Sequence, residues 1–284
     1  MTTQVVSSIE EMRTHLRLAR HGGESVGLVP TMGALHDGHL ELIRRSKADC
    51  TRTVVTLFVN PTQFNQTSDL NAYPRTFDAD LEACSAAGVD WLFAPSAEEM
   101  YPENPLTYID VKGISEGLCG PYRPGHFRAV ATVCAKLFAA APADRAYFGE
   151  KDYQQLAVIC RMVRDLNLPL EIIGVPTVRE PDGLAMSSRN ALLSPAERQA
   201  ATVLYRALQA AQAAQASNQT ASRVLVDIAR RLIAAEPPAR IEYIEIVDRD
   251  ILQPVATIDR ECRLALAVWF GNVRLIDNIA VGPR

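Results

Sequence analysis

The sequence of 284 residues has no excess of positive charge and no long apolar run. Its formal net charge of −4 argues against a nucleic-acid-binding protein, because phosphate contacts need a basic surface. No apolar stretch approaches the roughly 20 residues that a membrane-spanning helix needs. The first residues, MTTQVVSSIEEMRTHL, lack the basic and apolar blocks of a signal peptide. We therefore expect a cytoplasmic protein that binds neither nucleic acid nor membrane.

Two kinds of motif are also missing. The six cysteines show no Cys-x-x-Cys or Cys-x-His spacing. This excludes an obvious zinc or disulfide framework and is typical of a protein in a thiol-reducing cytosol. The stretch TMGALHDGHL (31–40) contains neither G-x-G-x-x-G nor G-x-x-x-x-G-K-[ST], so it is neither a dinucleotide fingerprint nor a P-loop.

Strands and helices alternate along the first 176 residues. The capping box that begins at Ser8 predicts a first helix, which ends at Gly22-Gly23. Strands are then predicted at 25–29, 53–59, 89–94, 146–148 and 170–176, and helices at 39–47, 76–87, 126–140 and 153–166. Such alternation predicts an α/β fold with a Rossmann-like doubly wound parallel sheet, in which ligands bind beyond the carboxyl ends of the strands.

The pattern changes near residue 177. Two helices, at 195–216 and 221–235, precede three apolar runs that have no helix between them. This order is typical of an α+β unit. We therefore predict a larger domain over 1–176 and a smaller α+β C-terminal domain over 177–284.

Two of the five histidines, His36 and His39, lie in the turn that follows the strand at 25–29. A helix beginning at about Gly38 would present free N–H groups and the positive end of its dipole to an anion. Imidazoles at that position can donate hydrogen bonds to phosphate oxygens. The alternatives are one surface histidine beside one satisfied core histidine, or a metal pair, which the lack of a third clustered ligand disfavours.

Further polar motifs follow other predicted strands. FVNPTQF (58–64) supplies two amides, FGEKDYQQL (148–156) a lysine beside a helix start, and AMSSRN (185–190) two hydroxyls and a guanidinium suited to outer phosphates. Taken singly, each motif is more simply explained as an N-cap, a turn or a polar linker. Their joint position at the ends of strands favours a ligand site.

The H-x-G-H turn resembles the signature of the nucleotidyltransferase superfamily that includes class I aminoacyl-tRNA synthetases, and MSSR resembles its second signature. Read jointly, PTMGALHDGH, FVNPTQF, YPRTFDADL, RPGHFR, FGEKDYQQL and MSSRN resemble the pantoate–β-alanine ligase family over nearly the whole chain. The resemblance implies that ATP and pantoate form pantoyl adenylate and pyrophosphate, and that β-alanine then displaces AMP to give pantothenate. It also implies a cytoplasmic homodimer that needs Mg²⁺, with domain 1–176 binding nucleotide and pantoate and domain 177–284 acting as a lid.

The resemblance assigns roles to particular residues. The catalytic residues it implies are His39, His36, Lys151, Arg189 and Asn60. The implied ATP ligands are Met32, Gly33, Ala34, Leu35, His36, Asp37, Gly38, His39, Gly149, Glu150, Lys151, Asp152, Val178, Met186, Ser187, Ser188 and Arg189. Pantoate would contact Gln63, Gln155, Met32, Phe58 and Phe64, with Gln63 also near β-alanine. Residues 73–80 would form a gate, and Asp80 would reach the magnesium.

Two other functions stay open at the level of sequence. A related nucleotidyltransferase that keeps the nucleotide on its product would share the histidine turn and MSSR, but would not require Gln63 and Gln155 beside Phe58 and Phe64. A nucleotide-sensing module without catalysis would form no pyrophosphate.

Overall fold

The chain is seen in a computed structural model that describes residues 2–64, 70–71, 73–103 and 105–283. It divides into two compact units. The first unit comprises residues 1–111, 122–150 and 158–176, and the second comprises 112–121, 151–157 and 177–284. Two short stretches from within the first 176 residues therefore belong to the second unit.

The first unit is built on a parallel sheet of six strands. The strands are β1 (Gln4–Val6), β2 (Val26–Thr31), β3 (Arg52–Leu57), β4 (Trp91–Phe93), β5 (Arg145–Gly149) and β6 (Glu171–Val175), in the order β1-β4-β3-β2-β5-β6. The order reverses between β2 and β5, which are neighbours in the sheet. The prediction of a doubly wound parallel α/β sheet is thus confirmed, although the three-residue edge strand β1 was not predicted because it is too short for a periodic signal.

Helices flank these strands, and all except the short unpredicted helix Ala97–Met100 lie close to their predicted bounds. They are α1 (Ile9–His21), α2 (Asp37–Asp49), α3 (Phe77–Ala86), α4 (Ala97–Met100), α5 (His126–Ala140) and α6 (Tyr153–Asp165). Helix α2 packs tightly on β2 because Gly27 has no side chain: a Cβ there would overlap the Ser46 hydroxyl. Val29, Ile43 and Val55 belong to the buried core of this region. This close packing fixes the position of the turn between β2 and α2.

The second unit contains an antiparallel sheet of three strands, β7 (Ala239–Asp248), β8 (Cys262–Phe270) and β9 (Val273–Val281). Helices α7 (Pro195–Ala200), α8 (Val203–Ala216) and α9 (Ser222–Ala234) precede it. Its core includes Leu225 and Ile233 from α9 and Leu264 and Leu266 from β8. The predicted smaller α+β unit is therefore present in the C-terminal region.

One predicted helix differs from the structure. The single helix expected at 195–216 is two helices, separated at Ala201 and Thr202. The Thr202 hydroxyl donates to the carbonyl of Gln199 at 2.8 Å, a local bond that competes with the regular helical pattern. No helix in the described part of the chain has the length and apolar character needed to span a bilayer.

Candidate active site

The histidine turn lies at the carboxyl end of β2, beside the carboxyl end of β5. These are the two strands between which the sheet order reverses. In open α/β sheets ligands usually bind at this point. The loops that follow the two neighbouring strands lead to opposite faces of the sheet and leave a crevice between them. Gly149 ends β5 and Glu150 follows it at the same edge.

His36 and His39 cap the start of α2 through their rings. Nδ1 of His36 accepts from the N–H of Gly38 at 3.1 Å, and Nδ1 of His39 accepts from the N–H of His36 at 3.3 Å. Because each Nδ1 is an acceptor, each neutral ring carries its proton on Nε2. The two rings lie 4.1 Å apart between centroids. The turn therefore places two adjacent imidazoles, each with its proton on Nε2, at a helix N-terminus, a type of position that favours phosphate oxygens.

The turn before these histidines has an unusual backbone. Gly33 and Ala34 have φ angles of +88° and +52°. This left-handed backbone conformation is sterically unfavourable for a residue with a Cβ, such as Ala34. The hydroxyl of Thr31 accepts from the N–H of Gly33 at 3.2 Å. A non-glycine residue persists in such a conformation only where its surroundings hold it.

Asp80, from α3, supplies the main support for this backbone. Its carboxylate accepts from the N–H groups of Ala34 at 3.0 Å and Leu35 at 2.8 Å, and from the Thr76 hydroxyl at 3.0 Å. The side chain is only 3% exposed. Asp80 thus fixes the turn that presents the two histidines.

This geometry gives Asp80 a structural role, and its expected magnesium contact stays a prediction. Three donors bind its buried carboxylate. Across the described residues, no three His, Cys, Asp or Glu side chains form a group that could hold a metal. Sequence reasoning singled out the residue but did not predict its backbone contacts, because the N–H groups that it binds lie 45 and 46 positions away.

Asn60 follows β3 and is 1% exposed. Its Oδ1 accepts from the Tyr101 hydroxyl at 2.9 Å and from the hydroxyl and N–H of Thr62 at 2.9 and 3.3 Å. Its Nδ2 is buried and has no hydrogen-bond partner among the residues described. A buried amide donor normally has an acceptor, so this one is a candidate donor to a ligand at the carboxyl edge of the sheet.

Gln63 ends the 3-10 turn Pro61–Gln63, which follows the buried Phe58 in the sequence. Its carbonyl accepts from Nδ1 of His126 at 3.2 Å, while Nε2 of His126 lies 3.1 Å from an N–H of Arg123. An arginine only donates, so Nε2 accepts and Nδ1 carries the proton. The RPGHFR motif therefore supports the turn that carries Gln63, a role that sequence reasoning did not assign to either residue.

The predicted gate begins with an aromatic contact. The rings of Phe64 and Tyr73 meet edge to face, with 5.6 Å between their centroids. Residues 65–69 and 72 lie outside the described part of the chain. The gate over residues 73–80 stays a prediction, although its last residue is the support of the histidine turn.

Other predicted ligands belong to the second unit. Lys151 Nζ lies 3.7 Å from Oδ2 of Asp152. Gln155 is half-buried, whereas its neighbour Gln154 is buried and bonds to the backbone of Ile114, Gly117 and Cys119. Of the two glutamines, only Gln155 is therefore left with a side chain suited to a ligand.

The segment from Val178 to Arg189 forms a short hairpin followed by a 3-10 turn. The N–H of Met186 donates to the carbonyl of Val178 at 3.0 Å, and Arg179 pairs with Ala185. Ser187 caps the turn Ser188–Leu192 by accepting from the N–H of Arg189 at 3.3 Å. The hydroxyl of Ser187 thus has a structural partner, and the hairpin brings Val178 and Met186 side by side.

The doubly wound sheet, with a histidine-capped helix at its switch point, defines an α/β protein of the H-x-G-H nucleotidyltransferase class. A family model described as Pantoate-beta-alanine ligase matches residues 4–280. The chain belongs to this pantoate–β-alanine ligase family.

Individual relatives agree with this assignment over their full length. The chain is 53% identical over 278 residues to a pantothenate synthetase of Heliobacterium modesticaldum, covering 98% of this chain and 99% of the relative. A crystal structure of pantothenate synthetase from Thermus thermophilus matches with a TM-score of 0.93 at 46% identity, over 99% and 100% of the two chains. A pantoate–β-alanine ligase from Francisella tularensis, in complex with beta-gamma ATP and beta-alanine, matches with a TM-score of 0.80 at 33% identity, over 98% and 97%.

Proposed function

We propose that this protein condenses pantoate with β-alanine at the expense of ATP, through a pantoyl adenylate, releasing pyrophosphate and AMP. The observation that carries the proposal is the family match over residues 4–280, in a chain whose histidine turn lies at the switch point of the sheet. The complex of the Francisella tularensis relative with beta-gamma ATP and beta-alanine supports two of the three substrates.

The chemistry explains why a nucleotide is needed. A carboxylate is a poor acyl donor for two reasons. Its delocalised negative charge disfavours attack by a nucleophile, and its oxygen is a very poor leaving group. Attack of the pantoate carboxylate on the α-phosphorus expels pyrophosphate and makes AMP the leaving group. The neutral amine of β-alanine then attacks the acyl carbon, the bond to the AMP oxygen breaks, and an amide forms. The mixed anhydride must be shielded from water between the two steps.

The histidine turn fits the first of these steps. Negative charge builds up on the phosphate oxygens as the carboxylate attacks, and donors that are already aimed stabilise it best. We assign this role to the Nε2–H groups of His36 and His39, together with the cations of Lys151 and Arg189. The remaining proposed ATP contacts are residues 32–38, Gly149, Glu150, Asp152, Val178 and residues 186–188.

Pantoate recognition is assigned to amides beside apolar side chains. Gln63 and Gln155 would bind its hydroxyls and carboxylate, and the methyl groups would pack on Met32, Phe58 and Phe64, with Gln63 also near β-alanine. The unpartnered Nδ2 of Asn60 supplies a further donor. Buried amides matched to hydroxyls discriminate strongly, because an analogue without the hydroxyl leaves them unpaired.

Magnesium fits this chain as part of the substrate. Mg²⁺ usually keeps several waters and is bound through substrate phosphates with one or two carboxylates. With Asp80 committed to the backbone and no ligand cluster in the described ranges, we propose that the ion arrives as Mg·ATP. We also propose a homodimer in the cytoplasm, as the resemblance implies.

The test is an isotope-transfer assay with pantoate labelled with ¹⁸O in its carboxylate. With ATP and Mg²⁺, we expect pyrophosphate in an amount close to that of the enzyme, because the adenylate stays bound. Adding β-alanine should release AMP that carries one ¹⁸O, whereas α-alanine should release far less. Formation of ADP, or a product that retains the nucleotide, would refute the proposed reaction.

A further inference from the structure

The last strand of the second unit carries two buried polar residues within an apolar run. Asp277 and Asn278 lie in β9 (VRLIDNIAV) and are 2% and 6% exposed. Burying a carboxylate and an amide is unfavourable unless both are fully paired. Their partners are two segments of the same unit that contain proposed ATP ligands.

Asp277 binds the base of the hairpin that begins at Val178. Its two oxygens accept from NH1 and NH2 of Arg179 at 2.6 and 2.9 Å, a bidentate ion pair. The same guanidinium donates to the carbonyl of Gly183 at 3.1 Å and stacks 3.8 Å from the ring centroid of Tyr205. Arg179 therefore joins both sides of the hairpin to β9.

Asn278 binds the other segment. Its Nδ2 donates to the carbonyl of Lys151 at 3.0 Å, and its own N–H donates to Oδ1 of Asp277 at 2.8 Å. Two consecutive residues of one strand thus hold both the backbone of Lys151 and the hairpin that leads to Arg189.

Stability alone does not explain this arrangement. Burial raises the pKa of Asp277, against the opposing effect of Arg179, so the charged carboxylate is held at an energetic disadvantage. A buried ion pair is often replaceable by apolar residues without loss of stability. What an apolar pair cannot supply is the fixed direction of a bidentate bond.

We propose that Asp277 and Asn278 are positioning residues that set the spacing between Lys151 and the 178–189 segment, and thereby the binding of the ATP phosphates. This inference rests on the proposed function. Reacting groups must be held closely, since a displacement of about 1 Å can lower a rate about 100-fold. Neither residue touches substrate in this assignment; each acts through the segment that it holds.

The test compares one double variant and one single variant with the wild-type protein. In the Arg179→Met/Asp277→Leu variant we expect the melting temperature to be kept, while kcat/KM for ATP in pyrophosphate formation falls about 10- to 100-fold. The KM for pantoate should change less than twofold. Asn278→Ala should shift the same parameter in the same direction, with a weaker affinity for a non-hydrolysable ATP analogue measured by calorimetry.

The matched control is Arg274→Met/Glu242→Leu. It removes another ion pair of β9, with 15% and 8% exposed side chains, whose further partners include Cys119 and Trp269. Its kcat/KM for ATP should stay within about twofold of wild type. The inference is overturned if the Asp277 and Asn278 variants keep the wild-type kcat/KM for ATP. It is also overturned if kcat/KM for ATP falls as far in the control variant. The wild-type assay separates the two proposals, because a wild type that forms no pyrophosphate refutes the function itself.

Discussion

His36 and His39 each combine a structural and a chemical role in one ring. Nδ1 satisfies a free N–H at the start of α2, and this leaves the proton on Nε2, which can donate to a phosphate. The two roles can be separated by mutation, because asparagine is among the best N-cap residues but has no imidazole.

We predict that His36→Asn keeps the thermal stability of the protein while lowering the rate of pyrophosphate formation. His39→Ala should lower that rate about 100- to 1,000-fold, as for other donors to a developing charge. Single-turnover assays and thermal melts measure the two effects. His21→Ala, at the exposed end of α1, serves as the control and should leave the rate unchanged. Near-normal turnover in His39→Ala would remove His39 from the mechanism.

Asp80 is a residue that the sequence singled out but whose contacts with the histidine turn it did not predict. Its carboxylate stabilises a turn in which Ala34 has a φ of +52°. We predict that Asp80→Asn destabilises the protein by about 1–3 kcal/mol, because one N–H of the turn loses its acceptor. The rate of pyrophosphate formation should fall as well, while the magnesium concentration at half-maximal rate stays unchanged.

Asp78→Asn is the matched control, since Asp78 is exposed in the first turn of the same helix. It should behave as wild type in both measurements. A several-fold increase in the magnesium concentration that Asp80→Asn needs for half-maximal rate would instead support a contact between Asp80 and the metal ion.

At the scale of elements, the first turn of α5 supports the 3-10 turn Pro61–Gln63. His126 links the two through its bond to the carbonyl of Gln63. The bond joins residues 63 positions apart, so it fixes the distance between two loops that local sequence leaves independent.

We predict that His126→Ala raises the KM for pantoate far more than the KM for ATP, because the loosened turn no longer aims Gln63. His126→Asn should recover much of the loss, since its amide can donate from a place near that of Nδ1. Steady-state kinetics with each substrate varied in turn would measure the split. Equal increases in both KM values in His126→Ala would contradict this role.

At the scale of the whole molecule, the burial of the thiols tests the fold. Five cysteines are buried and Cys160 is exposed. Burial raises the pKa of Cys84 and Cys134 to about 12, which further suppresses the reactive thiolate.

We predict that a thiol reagent titrates one cysteine in the native protein and six in denaturant, with no reductant needed. Absorbance of the released chromophore gives both counts. Cys160→Ser should abolish the native reaction. Rapid reaction of several thiols without denaturant would contradict the packing of these cores.

The order and type of most elements could be predicted from the amino-acid sequence. Helical periodicity and apolar runs are local properties, so the strands around Val29 and Val55, the helix at His126–Ala140 and the parallel sheet could all be predicted. The motif order likewise indicated the family. The division into domains at residue 176 and the individual ligand roles stay predictions.

Which polar groups meet is visible only in the folded chain. Asp80 reaches the histidine turn across 46 positions, His126 reaches Gln63 across 63, and Arg179 reaches Asp277 across 98. Nothing in the local pattern of either partner encodes such a pair, because chain folding alone brings the donors and acceptors together. The physical reason is that nearly all buried polar groups need a hydrogen-bond partner, and these partners are supplied by the fold as a whole and not by any one segment.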